Sequence, residues 1–308
     1  MRLKRLVLFA VWALVSAAFM PFALFAEEMA FQFTPVSVAG SGGVHNAEED
    51  GVFTLLSNPA LLNSVTSSMF LALSGGVGDV YRDGMFEFGS PPVYYTVTGP
   101  LALGVISKGV GYGIFNHVSL QYGRLDTDVV GVAGIDWVLI DTTGFKLDFG
   151  LAPKVLFRFR QTNTGTVSLF APSITPGILF SFGERFRAGI RYGDALSVAL
   201  LANGAEDIRI SRSLDAGIAV EIVSNGTLGL TLFADYRDLL RSSDDGSVDP
   251  LRQLGVGLRV AFWNNFWLSA GMSARAPTGG FGVNLGAVKL DTALSAYGAE
   301  VGIRIMRE

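Results

Sequence analysis

Residues 145–160 read FKLDFGLAPKVLFRFR, with apolar side chains at the odd-numbered positions and mostly charged or small ones at the even-numbered positions. This period of two predicts a β-strand whose two faces meet different surroundings. The run is far longer than the roughly six residues of a typical globular strand. It suits a transmembrane barrel, whose strands cross the hydrocarbon with about 9–11 residues. Pro153 predicts a bulge or a strand end.

The same alternation recurs along the chain between turn-forming clusters. It is clear at 214–222, 228–235, 254–262 and 301–306, with turn signals at 224–226, 263–265 and 276–280. Weaker stretches lie at 69–73, 93–97, 101–106, 118–122, 130–140, 178–182, 186–192, 268–272 and 283–290. Together they predict an all-β chain that forms a transmembrane antiparallel barrel of about 12–14 strands over residues 68–308. A soluble β-sandwich is the alternative, but its polar face should carry more Lys, Glu, Ser and Thr than glycine.

The N-terminus predicts export. Arg2, Lys4 and Arg5 precede the apolar run 6–25, and Ala26 precedes an acidic pair. This order is typical of a signal peptide over residues 1–26, whereas an uncleaved anchor helix is the alternative. The predicted destination is the bacterial outer membrane, where the surrounding lipids are the first partner.

The composition limits the chemistry. The chain has no cysteine, which excludes disulfides and thiolate sites, and its net charge of −4 comes without a basic patch, which argues against a nucleic-acid partner. His45 lies close to Glu48, Glu49 and Asp50, but the spacing does not match a metal site. We therefore expect neither a metal nor a cofactor.

Residues 27–67 do not follow the strand pattern. Glycines at 40–43 and acidic residues at 48–50 precede an apolar stretch at 52–62 that lacks strict alternation. This segment is too hydrophobic for a free tail, and irregular backbone at membrane depth is tolerated when it is buried in protein or faces water. The segment is therefore predicted to be a hatch, or plug, inside the barrel lumen.

Gly42-Gly43, Glu49-Asp50 and Asn58-Pro59-Ala60-Leu61 carry a family resemblance. In this order, after a signal peptide and ahead of amphipathic strands, they resemble the hatch of the FadL-type long-chain fatty acid transporter superfamily. That superfamily includes PorV-like and uncharacterised spirochaete barrels. The resemblance covers about thirty residues and implies a barrel, typically of fourteen strands, in which hatch movement and a lateral wall opening pass a hydrophobic ligand into the membrane. At 308 residues the chain is shorter than typical members, which leaves less room for long loops.

Within the hatch, the Asn58-Pro59-Ala60 tripeptide is the candidate gating site. Proline fixes its own backbone angle and biases Asn58 towards an extended conformation, while the Asn58 side chain can bond the local backbone. These properties predict a rigid elbow. The elbow either gates the lumen or anchors the plug to the wall, and the sequence leaves both roles open.

The lumen should contain charged residues if the apolar faces point outward. Mixed signs predict ion pairs inside the barrel. Four of the arginines could instead bind the carboxylate of a ligand. The predicted lumen residues are Lys146, Asp148, Lys154, Arg158, Arg160, Arg187, Arg191, Asp215, Glu221, Asp235, Arg259, Glu300 and Arg304, and the candidate headgroup ligands are Arg158, Arg160, Arg187 and Arg191.

The favoured function is passive uptake of hydrophobic compounds, with long-chain fatty acids as the first candidate. A non-transporting accessory barrel of a secretion or assembly system, like PorV, is the second and would bind a protein partner. The third is a lipolytic barrel enzyme using His117 and Ser119, which share one face of a strand. Leu120 replaces the asparagine that usually follows the serine in such enzymes, and the pair would face the lumen. The prediction is therefore a non-enzyme with no catalytic residue.

Overall fold

A computed structural model of the protein describes residues 28–29, 46–47, 51–66, 68–78, 81–82, 85–86, 94–121, 124–162, 165–203, 209–210, 212–240, 253–263, 265–273, 276–295 and 298–307. The predicted signal peptide and His45 lie outside these residues. The domain boundaries 1–26, 27–67 and 68–308 therefore stay predictions. None of the helices among the described residues combines the length and the apolar character needed to cross a lipid bilayer.

Fourteen long strands form one closed sheet. They are β1 (Ser68–Gly78), β2 (Tyr94–Ser107), β3 (Val110–Gln121), β4 (Arg124–Thr142), β5 (Phe145–Thr162), β6 (Gly165–Phe182), β7 (Phe186–Gly193), β8 (Ser213–Asn225), β9 (Leu228–Tyr236), β10 (Leu254–Phe262), β11 (Phe266–Ser273), β12 (Ala276–Asn284), β13 (Val288–Ser295) and β14 (Gly298–Arg307). Each pairs antiparallel with the next, and β14 pairs with β1 to close the barrel. The predicted antiparallel barrel is confirmed, at the upper end of the predicted strand count.

Short extended pieces add to this sheet at its margins. Leu201–Asn203 pairs antiparallel with β6, and Tyr81–Arg82 pairs with Met85–Phe86. Glu28–Met29 pairs in parallel with Arg209–Ile210. Of these pieces, only Leu201–Asn203 extends the barrel wall itself.

The two faces of the wall differ as the alternation predicts. On β5, Phe157 and Phe159 are 41% and 48% exposed, whereas Asp148 and Ala152 are fully buried. The odd-numbered residues of this strand therefore point outward and the even-numbered residues point into the lumen. Large exposed apolar side chains recur on the outer faces of the other long strands, which is the surface that a membrane-spanning barrel presents to lipid.

Pro153 does not end the strand or introduce a bulge, so that prediction is wrong. β5 continues past it to Thr162, in constant register with β6. On the other side, the pairing of β5 with β4 skips from Val132 opposite Lys154 to Ile135 opposite Leu151, without a change of register. The missing proline N–H thus weakens the ladder locally and leaves the strand intact.

Three further boundaries were predicted wrongly. Residues 94–97 and the stretch 101–106 belong to one strand, β2, whose pairing with β3 shifts register between Thr98 and Leu103. The glycine-rich cluster 276–280, predicted as a turn, lies within β12. The true turn joins β12 to β13, inside the stretch 283–290 that was predicted as a strand. Glycine on β12 serves packing, because a Cβ at Gly282 would overlap the ring of Trp267 on β11.

Candidate functional site

A buried stretch of chain lies against the inside of the barrel wall. This inner segment, residues 46–47 and 51–66, is the larger part of the described residues of the predicted hatch, which also include Glu28–Met29. Its short 3₁₀ helices, Gly51–Leu55 and Pro59–Leu61, contact strands β2 to β6. Leucines of the segment pack with inward apolar side chains of those strands, so the segment and the wall share one core.

Asn58 connects three parts of this arrangement. It is fully buried, and its backbone is extended (φ −117°, ψ 107°), as predicted for the residue before a proline. Its Oδ1 accepts a hydrogen bond from the Ala60 N–H at 3.1 Å. Its Nδ2 donates to the carbonyl oxygen of Asn46 at 2.9 Å and to that of Ile178 on β6 at 3.3 Å. The predicted elbow is thus present, while the gating role of Asn58, Pro59 and Ala60 stays a prediction.

The inner segment approaches the wall closely because the wall carries glycine at the contact points. Gly150, Gly177 and Gly189 lie on adjacent strands β5, β6 and β7 and form what we call the glycine seat. A side chain at any of them would require the segment to move. The added Cβ would overlap the backbone of Pro59 and Ala60, the side chain of Asn58 and the carbonyl of Asn46, respectively.

Arg191 on β7 bonds both the wall and the inner segment. Its Nε donates to Asp215 Oδ2 on β8 at 2.7 Å, and its Nη1 donates to the carbonyl oxygens of Leu56 at 2.8 Å and Ser57 at 3.1 Å. Asp215 is buried, and its second oxygen accepts from the Asp238 N–H at 2.7 Å. The guanidinium therefore joins a buried carboxylate to two main-chain carbonyls.

Two other buried aspartates bond the ends of the segment. Asp136 Oδ2 on β4 accepts from the Asn63 N–H at 2.9 Å. Asp235 Oδ2 on β9 accepts from both the backbone N–H and the Nδ2 of Asn46, at 3.1 and 3.0 Å. The wall thus holds the segment by polar bonds at its two ends and at its middle.

We expect Arg191→Ala to lower the free energy of unfolding by about 3–5 kcal/mol, because Asp215 would stay buried without its counter-ion. Guanidinium unfolding of the detergent-folded protein, followed by tryptophan fluorescence, measures this change. Arg187→Ala, on the same face of the same strand, is the matched control and should cost less than about 1 kcal/mol. Equal losses in the two variants would contradict a specific role for Arg191.

The four predicted headgroup arginines do not form one group. Arg158 forms a two-point pair with Asp128, at 2.6 and 2.7 Å, and Arg160 Nε lies 3.3 Å from Asp126. Arg191 is level with Gly150 on β5, so Arg158 lies about 26 Å further along that strand. These contacts confirm the predicted ion pairs of the lumen for Arg158 and Arg191. Carboxylate binding by Arg158, Arg160, Arg187 and Arg191 stays a prediction, and a ligand would have to compete with aspartates already in place.

The wall is interrupted between β6 and β7. The two strands pair from Phe182 opposite Phe186 to Gly177 opposite Arg191. Beyond this point the chain turns at Asp194, whose φ is 53°, and it returns to β6 only where the Val198 N–H bonds the Pro172 carbonyl at 3.2 Å. Within the described residues, the stretch 173–176 of β6 therefore has no paired strand on its β7 side. We call this stretch the wall gap.

Two prolines explain why β6 tolerates the gap. The Pro172 carbonyl accepts its hydrogen bond from the Val198 N–H, so the backbone polar groups of Pro172 point to the side of the gap. Backbone polar groups of residues two apart in a strand point to the same side. The missing N–H groups of Pro172 and Pro176 therefore both face the gap. Fewer donors are left unpaired there than in an ordinary strand edge.

A cavity of about 570 Å³ opens at the gap, with a mainly apolar lining. Leu196 and Val198, which follow the turn, form one side and are 62% and 57% exposed. The outward face of β4 contributes Gly131, where a Cβ would meet no atom within 4 Å. Prolines and apolar residues of β5 and β6 complete the lining. The inner segment contacts β6 two residues from the gap, since Asn58 bonds the carbonyl of Ile178.

Several solved structures share this architecture. CymD, described as a monoaromatic hydrocarbon channel, matches with a TM-score of 0.54 and 13% identity over 89% of this chain and 96% of its own. A TodX mutant described as a monoaromatic hydrocarbon channel matches with a TM-score of 0.51 and 13% identity over 88% of this chain and 97% of its own. The Ralstonia pickettii toluene transporter TbuX matches with a TM-score of 0.50 and 13% identity over 89% of this chain and 97% of its own.

The fold is that of the FadL-type barrels. The resemblance noted in the sequence is thereby confirmed at the level of the fold. The sequence itself matches no protein-family model and no curated protein. The function of this barrel must therefore be argued from its own residues.

A catalytic pair and a metal site, neither of which the sequence favours, are the remaining candidate sites. His117 on β3 lies opposite Asp128, on the face that also carries the Asp128–Arg158 pair, which agrees with its predicted lumen orientation. The side chain of Ser119 lies outside the described part of the chain. Within the described part, no three His, Asp or Glu residues form a group that could hold a metal ion.

Sequence reasoning missed the glycine seat and the partner aspartates Asp128, Asp136 and Asp194, whereas Asp215 and Asp235 were among the predicted lumen residues. Glycine at even positions of β5 was noticed as part of the lumen face, but its contact with the hatch depends on which strands become neighbours. The prolines Pro172 and Pro176 were a readable signal for a weakened ladder, because proline is tolerated mainly at strand edges and bulges. Asp194 carried no such signal, since aspartate is also common in ordinary turns.

Proposed function

We propose that this chain is a passive outer-membrane channel for hydrophobic compounds, with long-chain fatty acids as the first candidate ligand. The observation that carries the proposal is the wall gap with its apolar cavity beside the inner segment. The fold neighbours, described as channels and transporters, support it at the level of architecture. The proposal assigns no catalytic step to any residue.

A lateral route through the gap suits an apolar ligand physically. The lumen is lined by buried ion pairs such as Arg158–Asp128, whereas the outer wall is apolar. A hydrophobic molecule lowers its free energy by leaving the polar lumen for the hydrocarbon. A cavity of about 150 Å³ holds benzene, so the 570 Å³ at the gap is large enough for an aromatic ring or part of an acyl chain.

We further propose that Asn58, Pro59 and Ala60 act as the gating elbow. Asn58 bonds the carbonyl of Ile178 on β6. Arg191, the last paired residue of β7 before the gap, bonds the carbonyl of Leu56 in the inner segment. Movement of the elbow would break both contacts at the edge of the gap. Movement of the inner segment and access to the gap are coupled in this proposal.

Binding of a long-chain fatty acid to the detergent-folded protein tests the proposal. We expect saturable binding of a labelled long-chain acid, and none of a short-chain acid, because each buried CH₂ contributes about 0.8 kcal/mol. Asn58→Ala should keep the binding and speed transfer into vesicles, because it removes the bond to Ile178 that holds the elbow in place. A neutral monoaromatic hydrocarbon serves as the second ligand.

The outcomes separate the alternatives. Binding of the hydrocarbon alone would keep the hydrophobic channel and remove the fatty acid assignment. No binding of either ligand by a folded protein would contradict the channel and favour a barrel that binds a protein partner.

A further inference from the structure

A buried ion pair lies directly beside the wall gap. Lys154 Nζ on β5 is 3.0 Å from one carboxylate oxygen of Asp194 and 3.1 Å from the other. The Asp194 N–H donates to Thr175 Oγ1 on β6 at 3.3 Å. All three residues are at most 9% exposed. The first residue of the turn after β7 is thus bonded from two strands of the wall.

Asp194 is also where the chain leaves the sheet. Its φ of 53° lies in the left-handed region, which non-glycine residues adopt rarely and which aspartate tolerates better than most. An extended residue here would carry the chain on alongside β6, with residues 194 and 195 opposite 174 and 173 in the register of the two strands. The backbone angle at Asp194 therefore prevents pairing in the half of the gap at 173–174, and the bonds to Lys154 and Thr175 act on that same residue.

Stability alone is a weak reason for such a pair. Burying two charges costs several kcal/mol per ion, and well-packed apolar residues of similar size are often as stable or more so. Val132 lies directly opposite Lys154 on β4 and is buried, so an apolar side chain in place of Lys154 would have a packing partner. A pair retained here is better explained by the geometry that it enforces.

We propose that Lys154, Asp194 and Thr175 form a clasp that fixes the bend of the chain at Asp194, so that the following residues stay off β6 and the wall gap stays open. The clasp positions the gap and does not touch the ligand. Its consequence for transport rests on the proposed function, whereas its effect on the shape of the wall does not. Lys154 and Asp194 are positioning residues in this proposal.

The distance from β5 to the turn after β7 tests the clasp without any ligand. The chain has no cysteine, so spin labels can be attached at Phe159→Cys and Leu196→Cys, both of them exposed positions outside the clasp. Pulsed electron paramagnetic resonance on the protein in lipid nanodiscs should give one narrow distance distribution. Lys154→Met should roughly double its width, because residues 194–197 lose their hold on the wall.

Two further variants make the outcome specific. The charge-swapped double variant Lys154→Asp with Asp194→Lys should restore the narrow distribution. Arg304→Met removes part of another buried lumen pair, Arg304–Asp291 at 2.7 Å, and should leave the distribution unchanged. If Lys154→Met does not fold, Lys154→Met with Asp194→Asn replaces it, because that variant leaves no unpaired charge buried.

An unchanged distribution in folded Lys154→Met would overturn the clasp, whatever the protein transports. Fatty acid transfer into vesicles is measured on the same samples. Broadening together with slowed transfer supports the clasp and its link to transport. Broadening in a protein whose parent transfers nothing supports the clasp and contradicts the proposed function.

Discussion

Replacing Gly177 by alanine should displace the inner segment and make the lumen permeable to small hydrophilic solutes. The added Cβ would overlap the Asn58 side chain, which cannot move without losing its bonds to Asn46 and Ile178. Overpacking of this kind costs about 1–3 kcal/mol, which is comparable with the hydrogen bonds that hold Asn58. We expect the barrel to persist, because strand pairing on both sides of Gly177 does not involve its Cα hydrogens.

Swelling of protein-containing liposomes in a small sugar measures the permeability. Gly131→Ala is the matched control, because it makes the same chemical change where the new Cβ meets no atom within 4 Å. The control should behave like the parent protein. Equal, low permeability in both variants would mean that the inner segment does not close the lumen.

Replacing Gly131 by leucine should reduce uptake of the hydrophobic ligand about tenfold, which corresponds to a rise of roughly 1.4 kcal/mol in the barrier. Gly131 lies on the outward face of β4 and lines the cavity at the gap. A leucine there fills the cavity without overlapping the wall, since the position has free space around it. The expected loss is therefore one of access and not of stability.

Ala270→Leu provides the comparison for this second change. Ala270 is exposed on β11, seven strands away from β4 around the barrel. The substitution therefore adds a leucine to the lipid-facing surface far from the gap. Uptake by vesicles should be normal in this variant, and both variants should unfold at the parent's denaturant concentration. Normal uptake by Gly131→Leu would exclude the cavity as part of the route.

The sequence was sufficient to predict the barrel because alternation is a local property. The bounds 254–262 of β10 follow directly from the period of two, and so does the division of β5 into an outward and a lumen-facing set of side chains. The predicted strand ends were wrong where glycine and proline lie within a strand and do not turn the chain, as at 276–280. A tripeptide with proline was likewise enough to predict the extended backbone of Asn58.

The site could be predicted only in part, because its contacts join distant residues. Asn58 is 120 positions from Ile178, and Arg191 is 135 positions from Leu56. The ion pair of Lys154 with Asp194 depends on the bend of the chain at Asp194, directly after β7. Such contacts follow from strand order and register, which the alternation of a single strand does not encode.

The central claim is that a hydrophobic ligand leaves the barrel through the wall gap. Cysteines at Ile174 and Val198, which both line the cavity, allow a reductant-cleavable cross-linker to bridge it in an otherwise cysteine-free chain. Transfer of a labelled long-chain fatty acid into proteoliposomes is then measured before and after cleavage. We predict slow transfer while the bridge is intact and recovery after reduction, with ligand binding unchanged. Equal transfer rates in the bridged and reduced protein would contradict the lateral route.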